Sequence, residues 1–346
     1  MPRPETIKHK DIALAMNINQ STVSRALDPA RRHLVSKATC EEVEAMAHKL
    51  GFRPNIHARR VRTSRSEAIT LVLDDINAPH ISYSDFNAYA ARLMMSITQG
   101  VIDGATENEY DVKLLPLHSR MPMKQDFMLK RVGFPYSDGV IFHGFHHLSA
   151  VYYFISEHRI PCLMVHGGMP ATSRMPVVET DLEPGFREAV NTLKAAGHRD
   201  IVFASVHAPG TGSRKQRWEL YCQVMREAGL ENHIRQLTIS TALELRKQAE
   251  AFAAAREFSA LICFNDAMAD MWRREIEYLG LKAGLDLSII GCDANPAYKG
   301  LASIRVPFYE MGKAAGTILV DAIKNNKHND FPGCILKSSL QHGESI

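Results

Sequence analysis

Hydrophobic and polar positions follow two different periods along the chain. Between residues 9 and 50 the apolar positions recur at helical spacing: Ile12, Ala13 and Met16, then Val23, Ala26 and Leu27, then Val43, Met46, Ala47 and Leu50. Residues three and four apart share a helix face, so the pattern predicts three short helices. Asn17 and Asn19 separate the first two. Asparagine tolerates positive φ and caps helix N-termini, so Asn17 can make the turn and Asn19 can start the second helix. Ser36 caps a third helix that runs to about Leu50, with Gly51 at its end. From about residue 66 the period changes. Runs that are apolar almost throughout, AITLVLDD (68–75), DVKLLPL (111–117), DGVIFHG (138–144), PCLMVHG (161–167), RDIVFAS (199–205), ALICFND (260–266) and LSIIGCD (287–293), are separated by helix-length segments. Such strands belong to parallel sheets covered on both faces, and right-handed crossovers place ligands beyond their carboxyl ends. The expected body is two Rossmann-like α/β lobes.

Composition narrows this picture. The 346-residue chain is 45 % hydrophobic, which fills ordinary cores and excludes disorder as the main state. No stretch approaches the roughly 20 apolar residues that cross a bilayer, and the start, MPRPETIKHKD, lacks the apolar core of a secretion signal. A cytoplasmic protein is the expectation. Six cysteines (Cys40, Cys162, Cys222, Cys263, Cys292, Cys334) stand singly, without C-x-x-C spacing, as reduced packing thiols do. The net charge of +3 hides an asymmetry: residues 1–65 hold 13 Lys+Arg against 6 Asp+Glu, and the remainder 28 against 32. A basic end on a mildly acidic body is the footprint of one module that meets a polyanion and another that does something else.

On the second predicted helix the apolar stripe leaves Gln20, Ser21, Ser24 and Arg25 on the opposite side. That side suits a DNA groove. Gln and Arg make bidentate hydrogen bonds to adenine and guanine edges, and the short hydroxyls of Ser21, Thr22 and Ser24 reach phosphate or base. Together, DIALAMNINQSTVSRAL and VSKATCEEVEAMAHKLGFRPN resemble the headpiece of LacI/GalR transcriptional repressors. Two departures are an extra pair of residues in TIKHKDIA and a long DPARRHL loop. The resemblance implies a helix-turn-helix headpiece over 1–53, with Asn19, Gln20, Ser21, Thr22, Ser24, Arg25 and Ser36 at the DNA, and a hinge helix and linker over 54–65. Asn55 can cap the hinge segment IHARRVR, which alone is shorter than the roughly 12–15 residues an isolated helix needs and carries repelling arginines. By resemblance it orders on the operator, with Asn55, Ala58, Arg59 and Val61 at the DNA. Val61 stands where relatives insert an apolar wedge, usually Leu, into the minor groove; the shorter Val predicts a shallower wedge. A basic linker without insertion is the alternative reading.

No G-x-G-x-x-G follows a strand, and G-x-x-x-x-G-K-[ST], H-E-x-x-H and G-x-S-x-G do not occur, so the usual enzymatic signatures are missing. The pieces SDGVIF, IPCLMV, VVETDLEPGFREAVNTLKAAGHRDIVFAS, LICFNDAMA, LSIIGCD and SIRVPFYEMGKAAGTILVDAI resemble the periplasmic-binding-protein-like effector module of the same family. The resemblance implies an effector-binding and dimerisation module over 66–346, with an N-lobe of about 66–178 plus 308–328, a C-lobe of about 179–307 plus 329–346, and the ligand in the cleft between them. Asp293 closes one predicted strand, and Asn265 and Asp266 close another, where carboxylate and amide can take hydrogen bonds from vicinal hydroxyls. Arg217 aligns with the family's effector-binding arginine, whose rigid fork matches a diol or a carboxylate. Arg217, Asn265 and Asp293 lead the effector-binding candidates, followed by Asp181. Helix capping by Asp181, Asp266 or Asp293 and a surface ion pair at Arg217 are the structural alternatives. From the other lobe, Tyr83, Phe86 and Tyr89 follow the first strand, as a wall against a sugar face or as core. Among His143, His146, His147 and His166, the first is read as a cleft hydrogen-bonder. No Cys or carboxylate completes a zinc set at fixed spacing, so neither metal nor cofactor is expected.

The implied whole is a transcriptional repressor rather than an enzyme. It is a homodimer, with tetramers left open, that binds near-palindromic double-stranded DNA and no membrane. A small-molecule effector, a sugar or sugar derivative acting as inducer, shifts lobe closure and releases the operator. A corepressor would use the same parts. Dimer contacts are expected from YAARLMMSITQGVIDGA and AAGTILVDAI, with burial inside the lobe an equal alternative. A solute-binding protein would need an export signal and no basic headpiece. An enzyme would need a nucleophile and base or a phosphate loop, and an architectural DNA-bending protein would leave the two-lobed body without a use.

Overall fold

The computed structural model describes residues 7–28, 31–53, 60, 64–73, 84–116, 132–133, 135–143, 159–166, 175–206, 213–328 and 330–346. The chain divides into two compact units, Met1–Ser64 and Arg65–Ile346. In the first, helices α1 (His9–Met16), α2 (Gln20–Ala26) and α3 (Lys37–Lys49) enclose Ile12, Ala13, Val23, Ala26, Cys40, Val43 and Ala47. Asn17 ends α1 in the left-handed conformation, φ 52°, and its amide bonds back to the carbonyls of Ala13 and Leu14. Asn19 Oδ1 accepts from the Ser21 amide at 3.5 Å, and Ser36 Oγ accepts from the Thr39 amide at 3.2 Å. Each helix start thus takes a side-chain oxygen where backbone donors would otherwise be orphaned.

The second unit is built on twelve strands among the described residues: β1 (Ala68–Leu73), β2 (Asp111–Pro116), β3 (Gly139–His143), β4 (Cys162–Val165), β5 (Val177–Asp181), β6 (Ile201–Val206), β7 (Arg235–Ile239), β8 (Ala260–Cys263), β9 (Ser288–Cys292), β10 (Ala302–Arg305), β11 (Cys334–Lys337) and β12 (Ser339–Gln341). They form two six-stranded sheets, ordered β11-β5-β4-β3-β1-β2 and β12-β10-β9-β8-β6-β7. Every pairing is parallel except β10 with β12. Helices α4 (Ser84–Thr106), α5 (Glu183–Ala195), α6 (Ser213–Glu227), α7 (Ala242–Ala255), α8 (Asp266–Tyr278) and α9 (Phe308–Lys324) connect them.

Seven strands were expected from continuous apolar runs, and the additional ones lie at or beside the sheet edges. β5, β7, β11 and β12 have a half-exposed or alternating burial pattern, so no apolar run marks them. This corrects the lobe boundaries. Residues 179–181 and 334–337, expected in the second lobe, belong to the first sheet, where Cys334 to Lys337 pair in parallel with Val178 to Asp181. The chain crosses between sheets at buried Ser338, whose amide donates to the Asp181 carbonyl at 2.9 Å and whose Oγ accepts from the Gly185 amide at 3.0 Å.

Helices α4 and α9 lie against each other inside the first lobe. A Cβ at Gly100 would strike the Tyr309 carbonyl, one at Gly104 the Lys313 carbonyl, one at Gly312 the Ile97 carbonyl and one at Gly316 the Val101 carbonyl. The two apolar stretches expected at a dimer interface therefore bury much of their surface on one another. Tyr309 Oη donates to Asp103 Oδ2 at 2.9 Å and Lys313 Nζ to Glu107 Oε1 at 2.7 Å along the seam. No helix among the described residues is long and apolar enough to cross a membrane.

Candidate functional site

In the headpiece unit, burial of Val23 and Ala26 turns Gln20, Ser21 and Arg25 to solvent, with Thr22 and Ser24 half-buried beside them. Asn19 and Ser36 are exposed at helix starts, so both are placed where backbone donors and a short side chain can meet a phosphate. Two arginines of the DPARRHL loop are engaged locally: Arg31 Nε donates to Asp28 Oδ2 at 2.8 Å, and Arg32 pairs with Glu44 at 3.1 Å. Arg25 has no ion pair among the described residues and is the exposed cation of the α2 face. Asn55, Ala58, Arg59 and Val61 lie outside the described residues.

In the body, β9 ends at Cys292, and the next two residues take positive φ, 107° at Asp293 and 52° at Ala294. Non-glycine residues hold such angles only where their surroundings fix them. Here the Asp293 amide donates to the Ile304 carbonyl at 2.8 Å, the Ala294 amide to Ser303 Oγ at 2.9 Å and the Asn295 amide to Asp266 Oδ2 at 2.6 Å. The locked turn aims the Asp293 carboxylate at α6, where Arg217 Nη2 meets Oδ1 at 2.5 Å with both side chains at most 5 % exposed. Arg217 Nη1 donates to the Phe264 carbonyl, and Nε is buried without a partner among the described residues. From the other lobe, Tyr89 on α4 donates its hydroxyl to Asp293 Oδ2 and lies 3.1 Å from the Cys292 carbonyl.

The charges here are set by burial and by each other. Burial opposes ionisation of Arg217, but the Asp293 carboxylate outweighs it and holds the guanidinium charged. Asp266 shares a 2.5 Å hydrogen bond with Ser303 Oγ, and burial together with the nearby Asp293 pushes its carboxyl up to about 8. It is therefore protonated at neutral pH. Burial and the same carboxylate raise the Tyr89 phenol well above its ordinary range, so it stays a donor.

On the first lobe, His143 ends β3 and His166 follows β4, their rings 6.3 Å apart, with His166 edge-on to Phe308 at 5.1 Å. Burial, helped by His166, pushes His143 down to about 3, leaving a neutral imidazole whose Nδ1 has no partner among the described residues. A cavity of about 780 Å³ is lined by Asp293, Asn295 and Phe308 together with Arg92 and Ser96 of α4.

Of the expected residues, Arg217 and Asp293 are brought into direct contact. Asn265 caps α8, its Oδ1 accepting from the Met268 amide at 2.9 Å, and Asp181 Oδ1 accepts from the Glu183 amide at 3.0 Å at the start of α5. Asp181 adopts the structural alternative, and at Asn265 the cap is a role the sequence reading did not raise. Tyr83 lies outside the described residues, and so does the side chain of Phe86. Tyr89 and Asn295 were not among the leading candidates. Tyr89 was named only beside Tyr83 and Phe86, as a wall against a sugar face or as core, and nothing in the sequence marked Asn295, whose Nδ2 is buried without a partner among the described residues. Among the described residues no group of three or more His, Cys, Asp or Glu is placed to hold a metal ion.

Two family models match the chain: the lacI family of bacterial regulatory proteins over residues 8–55, and the periplasmic binding protein-like domain over 190–346. The HTH-type transcriptional regulator RegA of Clostridium saccharobutylicum is 24 % identical over 345 residues, covering 97 % of this chain and 98 % of its own. The crystal structure of the lac repressor dimer bound to operator and the anti-inducer ONPF superposes with a TM-score of 0.68 at 19 % identity, covering 99 % of each chain. The cellobiose complex of the transcriptional regulator CelR superposes with a TM-score of 0.63 at 21 % identity, covering 98 % of this chain and all of that one.

Proposed function

The chain belongs to the LacI/GalR family of DNA-binding transcriptional regulators with an effector-binding module, and from that premise we propose that it is a repressor released from its operator by a small carbohydrate held between the two lobes. The observation that carries the reading is the buried Arg217–Asp293 pair, with Arg217 Nε and Asn295 Nδ2 on one lobe and His143 Nδ1 on the other buried without partners among the described residues. Each such polar atom costs about 1–3 kcal/mol when left unsatisfied, so the crevice favours a molecule rich in hydroxyl oxygens. The fork and the carboxylate match vicinal hydroxyls. The cellobiose complex of CelR, on the same fold, supports the carbohydrate class.

In this reading Arg217, Asp293 and His143 contact the effector. Asn265 and Asp181 shape the crevice by fixing the helices that start there, and Tyr83 and Phe86 belong to the wall after β1. Two headpieces of a homodimer read the half-sites through Asn19, Gln20, Ser21, Thr22, Ser24, Arg25 and Ser36, and the hinges add Asn55, Ala58, Arg59 and Val61. Effector binding favours a closure in which the hinges no longer pair.

Fluorescence anisotropy of the full-length protein on DNA from upstream of its own gene tests this, with and without a panel of mono- and disaccharides. A preferred near-palindromic fragment is expected. With about ten phosphate contacts per dimer, log K should fall against log salt with a slope near −10. At least one saccharide should weaken binding tenfold or more. Binding without sequence preference, or indifference to every saccharide, overturns the reading.

A further inference from the structure

Asp293 offers two carboxylate oxygens inside the crevice. Arg217 Nη2 takes Oδ1 at 2.5 Å, and the hydroxyl of Tyr89 takes Oδ2. Tyr89 comes from α4 in the first lobe and Asp293 from the end of β9 in the second, so this hydrogen bond is a direct tie between the lobes. Both residues are 5 % exposed. The Asp293, Ala294 and Asn295 amides donate to the Ile304 carbonyl, Ser303 Oγ and Asp266 Oδ2.

Resting on the reading that this crevice holds the effector, we propose that Tyr89 is its selectivity residue: the phenol fills the seat on Asp293 Oδ2 that a ligand hydroxyl takes, and a ligand binds only by displacing it. A phenol and an alcohol offer the same single O–H to that oxygen, so the exchange conserves the bond. A ligand that presents no hydroxyl there, a deoxy sugar at that position, leaves Asp293 without a replacement donor and is rejected. A hydrogen bond to a charged acceptor is worth roughly ten- to hundredfold in an equilibrium constant, and that factor sets how strongly Tyr89 competes. Displacing it also unties the first lobe from the second, which couples recognition to lobe movement.

The test is Tyr89→Phe in the full-length protein. The ring keeps its neighbour Tyr298, 6.1 Å away, and only the hydroxyl is lost. Without any ligand, hydrogen exchange over residues 292–298 should accelerate about tenfold or more, while β6 and β8, as internal references, stay unchanged. Unchanged exchange over 292–298 overturns the proposal. Acceleration in β6 and β8 as well also overturns it, because the hydroxyl would then be a general support. Calorimetric titration with every saccharide that binds the wild type should show the variant binding ten- to hundredfold tighter. Equal or weaker binding overturns displacement, since a merely structural tyrosine would weaken the site when altered. The exchange measurement needs no ligand and so judges Tyr89 separately from the carbohydrate reading, which the saccharide panel on wild-type protein judges.

Discussion

Asp266→Asn isolates the buried carboxyl behind the crevice. Asp266 accepts the Asn295 amide at 2.6 Å and shares its other oxygen with Ser303 Oγ at 2.5 Å. Burial and Asp293 push it up to about 8 from the ordinary 3.8. Between those values the native state keeps a proton that the unfolded chain has released. The stabilising contribution is therefore complete at low pH and is lost as pH rises toward the folded value, by about 1.4 kcal/mol per pH unit for one group, levelling off above about 8. From about pH 5 to about pH 7 the loss is about 3 kcal/mol. Asparagine is isosteric with the protonated acid, keeps an acceptor for the Asn295 amide and a donor toward Ser303, and does not titrate. The stability of the variant relative to wild type should thus climb with pH at about the same slope. Both tryptophans, Trp218 on α6 and Trp272 on α8, lie in the same lobe as Asp266, so urea unfolding followed by their fluorescence reports on the right region. Parallel wild-type and variant curves across this pH range would refute the reasoning, because they would mean that Asp266 is ionised in the native state.

Four further outcomes are expected. Arg217→Met leaves the Asp293 carboxylate buried and uncompensated and should cost about 3–5 kcal/mol in the same unfolding assay, with much of it recovered by adding Asp293→Asn; a loss below about 1 kcal/mol would show the pair to be solvated. Asn19→Ala removes the cap of α2 and should cost about 1 kcal/mol of local stability, read as faster exchange of the Ser21 and Thr22 amides; no change would place the cap elsewhere. Arg25→Ala should lose about 1–3 kcal/mol on the preferred operator and relax its base preference in anisotropy titrations, whereas a uniform loss across sequences would make Arg25 a phosphate contact. Gly312→Ala gains about 1 kcal/mol of helix propensity but drives a methyl into the Ile97 carbonyl across the α4–α9 seam, so Tm should fall; a rise would mean that the seam opens freely.

The elements that could be read from sequence were those whose residues had a single job. Ile12, Val23 and Val43 are buried, Asn17 acts through its own backbone and Asn19 through a side-chain cap on the next turn, so spacing and residue type located three helices and the turn between two of them. Strands buried on both faces were visible for the same reason. The edge strands β7 and β12 were not, because they bury one face only and share composition with turns, while β2, also at an edge, was marked by its run DVKLLPL. At the crevice, Asp293 stood out as a charge closing an apolar run, and Arg217 through its alignment with the family's effector-binding arginine. Their contact with each other, and with Tyr89 from the other lobe, depends on residues 76 and 204 positions apart in the chain, which no local pattern encodes. Asn265 shows the converse limit: its place after β8 suits a ligand or a helix cap equally, and only the 2.9 Å bond to the Met268 amide reveals that it caps.

The root of the connector and the crevice are opposite ends of the same stiff elements. Arg65 donates to the Ile323 and Lys324 carbonyls at 3.2 and 3.4 Å and to Asn326 Oδ1 at 3.0 Å, a cation placed at the carbonyl end of α9, where the helix dipole favours it. The Ser66 and Glu67 amides donate to the two oxygens of Asp138 at 2.7 and 2.9 Å. Asp138 immediately precedes β3, whose far end is His143, and α9 starts at Phe308 on the cavity wall. A helix of 17 residues spans about 25 Å, and the glycine contacts with α4 leave it no room to slide. Strand and helix can move only as parts of the first lobe. Any ligand that changes how that lobe sits on the second therefore carries residues 65–67 with it. The size of the response is limited by the difference in the ligand's affinity for the two lobe arrangements, several kcal/mol for a near-complete switch.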